Sequence, residues 1–197
     1  FPVTVTMSIT SPPLRSSTLI SFEASPSAFT LPETAKEIWD ITCEKLKNMS
    51  ARQLILSSGV TDICTTDDPA DDLRYHAKLK ADGFETKVLP TFRPDKLSNI
   101  DKGDFIPYIN ENSLTSYEEL MNWIDARITF FHENGCRLSD HGLEYVPFSI
   151  GDPAAAFEKR MAGKELTADE IDAFKTALMK ACAEEYSKYG WTMQLHI

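Results

Sequence analysis

Several motifs that mark common classes of protein are missing from this sequence. There is no glycine-rich phosphate loop, no GxSxG motif and no HExxH or HxH pair. The sequence therefore gives no support for P-loop phosphate binding, for serine-hydrolase chemistry, or for a metal site formed by one short motif. No apolar run approaches the roughly 20 residues that span a bilayer, and no signal segment stands at the start. No lysine and arginine cluster offsets the net charge of −10, which excludes nucleic acid and anionic membranes as partners.

Cysteine is also scarce. The chain has four cysteines, none of them in a CxxC pair and all widely spaced: Cys43, Cys64, Cys136 and Cys182. This pattern is typical of reduced, mostly buried thiols, and it does not favour a disulfide framework or a zinc site. We therefore predict a cytoplasmic protein.

The remaining composition is that of one globular domain with an atypical N-terminal arm. The chain has 197 residues, of which 42% are hydrophobic, enough for one domain with a sizeable core. Serine, threonine and proline supply 16 of residues 1–30, where Glu23 is the sole acid, so we expect a poorly ordered or non-native arm there. The domain is predicted over residues 31–197, and the start at Phe1 leads us to expect further residues upstream.

From Thr30 onward, strand and helix signals alternate. Capping boxes begin three of the predicted helices at Thr30–Glu33, Ser116–Glu119 and Thr167–Glu170. Two further helices are predicted over residues 50–57 and 70–82. The predicted strands cover residues 60–65, 86–92, 137–143 and 191–197. Strands that alternate with crossover helices are parallel, so the fold class is α/β. Periodicity alone does not distinguish a doubly wound sheet from part of a barrel.

Polar and ionisable side chains fall where the predicted strands end. In parallel α/β folds the carboxyl ends of the strands carry the chemistry. The residues are Asp67 and Asp68 after the first strand, Arg93 after the second, Asp140 and His141 within the third, and His196 in the fourth.

For Asp67, Asp68 and Arg93, a structural role is at least as well supported by the sequence as a functional one. Asp67 and Asp68, which precede a proline, are favoured as caps of the next helix. Arg93 either binds a substrate carboxylate in bidentate fashion or forms a structural salt bridge to Asp95. The two histidines in or near predicted helices are expected to be structural: His76 and His132.

The later residues also leave two interpretations open. Asp140 and His141 could form a buried hydrogen-bonded pair, and His196 could be a core histidine. The joint position of Arg93, Asp140 and His196 at strand ends favours function for the three together.

At the same segments the sequence resembles the uronate (glucuronate) isomerase family, from about Leu31 to the last residue. The order and spacing of CTTDDP, LPTFRPD, SDH and MQLHI form a specific signature. The matching segments are ETAKEIWD (33–40), SARQLIL (50–56), ICTTDDPADDLRYH (63–76), KVLPTFRPDKLSNI (87–100), GCRLSDHGLE (135–144) and GWTMQLHI (190–197).

The resemblance implies a fold, a reaction and roles for three residues. The family is a branch of the amidohydrolase superfamily that interconverts D-glucuronate with D-fructuronate, and D-galacturonate with D-tagaturonate. Its members are (β/α)8 barrels that carry one divalent metal, usually zinc. Arg93 would then bind the hexuronate substrate, and Asp140 and His196 would be catalytic. Proton transfer between C1 and C2 through an enediol needs a base and an electrophile at the carbonyl.

The chain departs from the family pattern in its metal ligands and its length. The early HxH pair and the late aspartate of the family are absent, so no metal residue is predicted in this chain, and the implied zinc is not expected to bind it. About four of eight barrel strands are present, so we expect an internal, inactive piece of a partial (β/α)8 barrel. A metal hydrolase of the amidohydrolase type and a non-catalytic half-barrel module are the alternatives. Exposed strand edges would favour homo-oligomers.

Overall fold

The computed structural model describes residues 34–197, where helices alternate with short parallel strands. The predicted arm and the Thr30–Glu33 capping box lie outside the described residues. The helices are α1 (Ala35–Leu46), α2 (Ala51–Ser57), α3 (Arg74–Ala81), α4 (Asp95–Ser98), α5 (Phe105–Glu111), α6 (Tyr117–Glu133), α7 (Pro153–Met161) and α8 (Ala168–Lys188). The strands are β1 (Asp62–Cys64), β2 (Lys87–Leu89), β3 (Leu138–Gly142) and β4 (Thr192–His196). In this part of the chain no helix combines the length and apolar character needed to cross a bilayer.

Side-chain caps explain where the long helices begin. Thr167 accepts a hydrogen bond from the amide of Glu170, whose carboxylate accepts from the amide of Thr167, so the predicted capping box is confirmed at α8. At α6 only half of the predicted box forms. Ser116 accepts from the amide of Glu119, but the Glu119 carboxylate accepts from the amide and hydroxyl of Thr115. The helix starts where predicted in both cases.

Three helices were not predicted, and one begins later than predicted. Helices α4 and α5 occupy what the sequence pattern indicated as a long connection. With four and seven residues, both are shorter than the window over which helical periodicity is recognised. Helix α7 has a signal that was overlooked, because Asp152 accepts from the amides of Ala154 and Ala155 just before Pro153. Helix α3 begins at Arg74, after Leu73 in a left-handed conformation with φ 54°.

The four strands follow one another in chain order with parallel pairing. Strand β1 pairs with β2, and β3 pairs with β4. The β1–β2 pairing stops at Leu89, and beyond it the amide of Thr91 donates to the Asp67 carboxylate at 3.1 Å. Pairing resumes at Phe92, which forms parallel bridges to Asp67 on one side and to Ser139 on the other. Phe92 therefore connects the two strand pairs.

Phe92 is also at the centre of the aromatic core. Its side chain is fully buried, and its ring centroid lies 5.1 Å from that of Phe131, 6.0 Å from Tyr186 and 6.3 Å from Trp191. Helices α6 and α8 thus pack against the sheet through edge-to-face aromatic contacts. The core continues towards α5 and α7 through the buried rings of Phe105, Phe157 and Phe174.

Side-chain alternation along β3 separates two neighbouring polar residues. The imidazole of His141 is buried against α8, with Nε2 3.3 Å from the Tyr186 hydroxyl. Asp140 points to the opposite face, as the period of a strand requires. The interpretation of Asp140 and His141 as a hydrogen-bonded pair is therefore wrong. Burial lowers the pKa of His141 to about 4, an effect that the charges of Asp95 and Asp140 only partly oppose.

Replacement of Phe92 by alanine tests its place in the core. Phe92→Ala removes the ring that joins the two strand pairs, and we expect the free energy of unfolding to fall by about 3–5 kcal/mol in urea titrations. The matched control is Phe148→Ala, because that ring is 76% exposed and its loss should change stability by less than about 0.5 kcal/mol. Equal effects of the two substitutions would contradict the assigned core.

The buried His141 predicts a loss of stability in mild acid. The unfolded chain binds a proton at His141 near pH 6.5, whereas the folded chain does so only near pH 4, so acid favours the unfolded state between these values. Over that range, protonation of His141 in the unfolded chain should lower the free energy of unfolding by about 3 kcal/mol. His141→Gln should lack this part of the decline when urea unfolding is measured at pH 7 and pH 4. An identical decline in both proteins would contradict the burial of a neutral imidazole.

Candidate functional site

Arg93, Asp140 and His196 come together at the carboxyl ends of three neighbouring strands. Arg93 follows Phe92 directly, Asp140 lies in β3, and His196 is the last residue of β4. Nη1 of Arg93 lies 3.4 Å from Oδ2 of Asp140, and Nδ1 of His196 lies 2.6 Å from Oδ1 of the same carboxylate. The predicted convergence of these three side chains is confirmed.

The pairing register explains why these three side chains meet. The amide of Arg93 donates to the Asp67 carbonyl at 3.0 Å, and the amide of Asp140 donates to the Phe92 carbonyl at 3.0 Å. In the β3–β4 register, Gly142 lies opposite His196. Parallel strands in register bring their carboxyl ends to one edge of the sheet, so side chains far apart in sequence become neighbours.

The carboxylate of Asp140 is the buried centre of the cluster. Its side chain is 5% exposed, against 32% for Arg93 and 49% for His196. Burial disfavours the charged guanidinium, but the hydrogen bond to Asp95 and the charges of Asp95 and Asp140 outweigh it and raise the pKa of Arg93. Oδ1 of Asp140 and Nδ1 of His196 are close but do not meet hydrogen-bond geometry, so within residues 34–197 that oxygen receives no hydrogen bond.

Both ring nitrogens of His196 have close neighbours. Its Nε2 lies 2.9 Å from the side-chain nitrogen of Gln194, two residues earlier on the same face of β4. An amide NH2 group can only donate, so this contact requires Nε2 as acceptor and places the ring hydrogen on Nδ1, beside Asp140. His196 is half exposed, and the interpretation as a core histidine is wrong.

A cavity of about 380 Å³ opens beside this cluster. Its wall includes Arg93 and His196, together with Tyr145 from the loop after β3 and Lys175 from α8. This volume lies in the range of small-molecule sites, about 300–1,000 Å³. Its mixture of cationic and anionic side chains suits a small, highly polar ligand.

Most side chains of the cavity wall, Lys175 and Tyr145 among them, were not identified as site residues from the sequence. Lys175 lies mid-helix, with Nζ 2.7 Å from Oδ1 of Asp101 and 5.5 Å from the centroid of the Tyr145 ring. Tyr145 donates to Asp172, and that hydrogen bond raises the pKa of Tyr145 to about 12. Neither residue stands in a motif or at a strand end, so the sequence offered no signal for them.

Asp67 and Asp68 do not cap the helix that follows them, so the capping prediction is wrong. Oδ2 of Asp67 accepts from the Thr65 hydroxyl at 2.6 Å and from the Thr91 amide at 3.1 Å, which ties β1 to the segment after β2. Burial raises the pKa of Asp67, although these hydrogen bonds oppose the shift. Asp68 accepts from the Ala70 amide and the Tyr108 hydroxyl.

The other two histidines make contacts that hold elements together, as expected of structural residues. Nε2 of His76 lies 2.7 Å from the Thr65 hydroxyl at the end of β1. Nδ1 of His132 accepts from the Trp191 indole at 3.0 Å, and its ring stacks on that of Tyr189 with centroids 4.4 Å apart.

The described residues do not fit the divalent metal that the family resemblance implies. Within residues 34–197 no group of three or more histidine, cysteine, aspartate or glutamate side chains could hold a metal ion. Asp140 and His196 supply two side chains that could be metal ligands. Nδ1 of His196 lies directly against the Asp140 carboxylate, which leaves no space for an ion between them. No step proposed below runs through a metal.

Comparisons with known proteins match the chain to one family. The sequence model described as glucuronate isomerase matches residues 16–197. The uronate isomerase of Caldicellulosiruptor bescii is 44% identical over 174 residues, a match that covers 83% of this chain and 38% of that protein. The uronate isomerase of Lachnospira eligens is 42% identical over 176 residues, with 83% and 38% covered. The chain therefore spans about 38% of the length of the curated relatives it matches.

Solved structures agree with the sequence matches. Uronate isomerase from Thermotoga maritima superposes with a TM-score of 0.77 at 33% identity, which covers 84% of this chain and 39% of that one. Glucuronate isomerase from Caulobacter crescentus superposes on this chain with a TM-score of 0.75 at 20% identity, which shows that the two chains share a fold. On this evidence the chain belongs to the glucuronate (uronate) isomerase family.

Proposed function

We propose that this chain forms part of an enzyme that isomerises hexuronates between aldose and ketose, with Arg93, Asp140 and His196 in its active site. The observation that carries the proposal is the convergence of these three side chains beside a polar cavity of about 380 Å³, in a chain of the glucuronate isomerase family. The proposed substrates are D-glucuronate and D-galacturonate.

Arg93 is the proposed carboxylate-binding residue. A hexuronate carries a permanent negative charge at neutral pH, and a guanidinium can bind a carboxylate through two parallel hydrogen bonds. Arg93 is 32% exposed and lies in the cavity wall, so a ligand can reach it. Its raised pKa keeps it charged.

Asp140 and His196 are the proposed proton-transfer pair. Isomerisation removes the proton on C2 while the C1 carbonyl oxygen gains one, which gives an enediol. A proton then returns to C1 while the C2 hydroxyl loses its proton, so the carbonyl moves from C1 to C2. With its ring hydrogen on Nδ1, His196 offers the lone pair of Nε2 as the base once the Gln194 amide gives way. The carboxylate of Asp140 stabilises the imidazolium that forms, which is the usual role of an aspartate behind a histidine base.

We further propose that the four parallel strands are half of a (β/α)8 barrel. Consecutive strands are neighbours from β1 to β4, and each gap in the chain carries at least one helix, as a barrel requires. The chain spans about 38% of its curated relatives, so the activity is a property of a longer polypeptide. The metal that the resemblance implies would then be held by residues outside 34–197.

A non-catalytic assembly module is the second candidate, and exposed apolar side chains favour it. After β3 the chain exposes Val146, Phe148 and Ile150, and after β4 it exposes Ile197. Large apolar side chains left exposed to solvent are typical of surfaces that another protein covers. Gel filtration separates the two candidates, because a concentration-independent monomer would argue against a self-assembling module.

A chimera tests the proposed activity directly. Residues 34–197 replace the matching segment of a full-length relative, and conversion of D-glucuronate to D-fructuronate is measured. We expect the chimera to be active. Asp140→Asn and His196→Gln should each lower kcat by about 10²–10⁴-fold, the range for loss of general acid–base catalysis. Arg93→Lys should act mainly on KM, because it weakens binding of the substrate carboxylate.

The control is Arg137→Lys. Arg137 directly precedes β3, at the amino-terminal end of the strand, and donates to the His132 and Cys136 carbonyls. Its replacement should leave both kinetic constants within about twofold of the parent. A chimera that folds but retains full activity after replacement of Asp140 and of His196 would contradict the proposed roles.

A further inference from the structure

We propose that Asp95 is a positioning residue that holds the Arg93 guanidinium in place to receive the substrate carboxylate. This inference rests on the proposed function of Arg93. Oδ2 of Asp95 accepts from Nε of Arg93 at 2.7 Å, and Oδ1 accepts from the amide of Gly142 at 3.0 Å. One carboxylate thus links Arg93, in the segment after β2, to Gly142 at the end of β3.

Asp95 is itself held firmly. It is the first residue of helix α4, whose turn is closed by the Asn99 amide and the Ser98 hydroxyl, both of which donate to the Asp95 carbonyl at 3.0 Å. Leu97 of the same turn is fully buried in the core. A carboxylate fixed to a packed turn offers a rigid reference point for a long, flexible arginine side chain.

Gly142 leaves just enough room for this arrangement. A Cβ atom at position 142 would lie 2.8 Å from Nη2 of Arg93 and 2.9 Å from Oδ2 of Asp95, closer than van der Waals contact allows. The φ angle of Gly142 is not in the left-handed region, so close approach of the arginine and aspartate, and not backbone conformation, explains a glycine here.

Electrostatics alone predicts the opposite effect of Asp95 on binding. Asp95 lines the same cavity as Arg93, and its negative charge repels a carboxylate ligand. Removal of that charge would tighten binding if repulsion were its main contribution. A positioning role predicts weaker binding, because the guanidinium would lose its fixed orientation. The sign of the change in affinity therefore distinguishes the two.

Asparagine is the informative replacement. The Asp95 carboxylate accepts from two donors at once, one on each oxygen. An asparagine of the same shape has one acceptor oxygen, and its NH2 group would face the other donor. Asp95→Asn therefore breaks the link while leaving the volume of the side chain unchanged.

The experiment uses the chain itself with two readouts. The first is the Nε–H signal of Arg93 in a proton–nitrogen NMR spectrum, identified by its disappearance in Arg93→Lys, and its rate of exchange with water. The second is the dissociation constant of D-glucuronate from NMR titration. In Asp95→Asn we expect exchange to be about tenfold faster or more, and binding about tenfold weaker, as for the loss of one charge-assisted hydrogen bond.

Two further variants make the result unambiguous. Glu144→Gln removes a negative charge from the wall of the same cavity. Glu144 forms an ion pair with Lys102 and none with Arg93. This variant should leave the Arg93 signal unchanged, and it should bind D-glucuronate equally well or more tightly. Gly142→Ala displaces the same Arg93–Asp95 pair from the other side and should reproduce the effects of Asp95→Asn. Urea unfolding verifies that each variant is folded.

Each outcome of the Asp95→Asn experiment either supports or overturns the positioning role of Asp95. Faster exchange with weaker binding in Asp95→Asn supports the positioning role. An unchanged Arg93 signal, or binding that stays equal or becomes tighter, overturns it. If the parent chain does not bind D-glucuronate, the proposed role of Arg93 in this chain fails, and the Arg93 signal alone then decides whether Asp95 holds the guanidinium.

Discussion

The site depends on the register of one segment. This is the segment after β2, which pairs with the residues after β1 on one side and with β3 on the other. Phe92 forms parallel bridges to Asp67 and to Ser139, while its ring is fully buried among Phe131, Tyr186 and Trp191. The hydrogen bonds fix the position of the backbone along the strand, and the aromatic packing fixes which face points to the helices. Since Arg93 is the next residue, its side chain must leave the sheet at the edge where Asp140 and His196 also lie.

The same alternation divides the polar residues of β3 between two tasks. His141 faces the helices and is kept neutral by burial, with its pKa lowered to about 4. Asp140 lies on the other face, where its carboxylate is close to both Arg93 and His196. The polar cluster therefore lies on the face of β3 opposite the aromatic core, with the buried Asp140 carboxylate at its centre.

The sequence predicted the strands and the meeting of the three site residues, because hydrophobic runs, capping boxes and strand ends are local signals. It failed at Asp67 and Asp68, whose hydrogen-bond partners, Thr91 and Tyr108, are distant in sequence. It also failed at Lys175, which enters the cavity wall only because α8 packs beside the loop after β3. Interactions that depend on tertiary packing leave no periodic trace, and short helices such as α4 show too few turns to be recognised.

The central claim is that one strand edge gathers Arg93, Asp140 and His196 into a site that binds a hexuronate by its carboxylate. A crystal structure of the chain with D-glucuronate tests this most directly. We predict electron density for the ligand in the cavity beside α4, with its carboxylate within hydrogen-bond distance, about 2.7–3.2 Å, of the Arg93 guanidinium and its C2 facing His196. A ligand bound elsewhere, or density that places Arg93 and His196 on opposite sides of the sheet, would contradict the account.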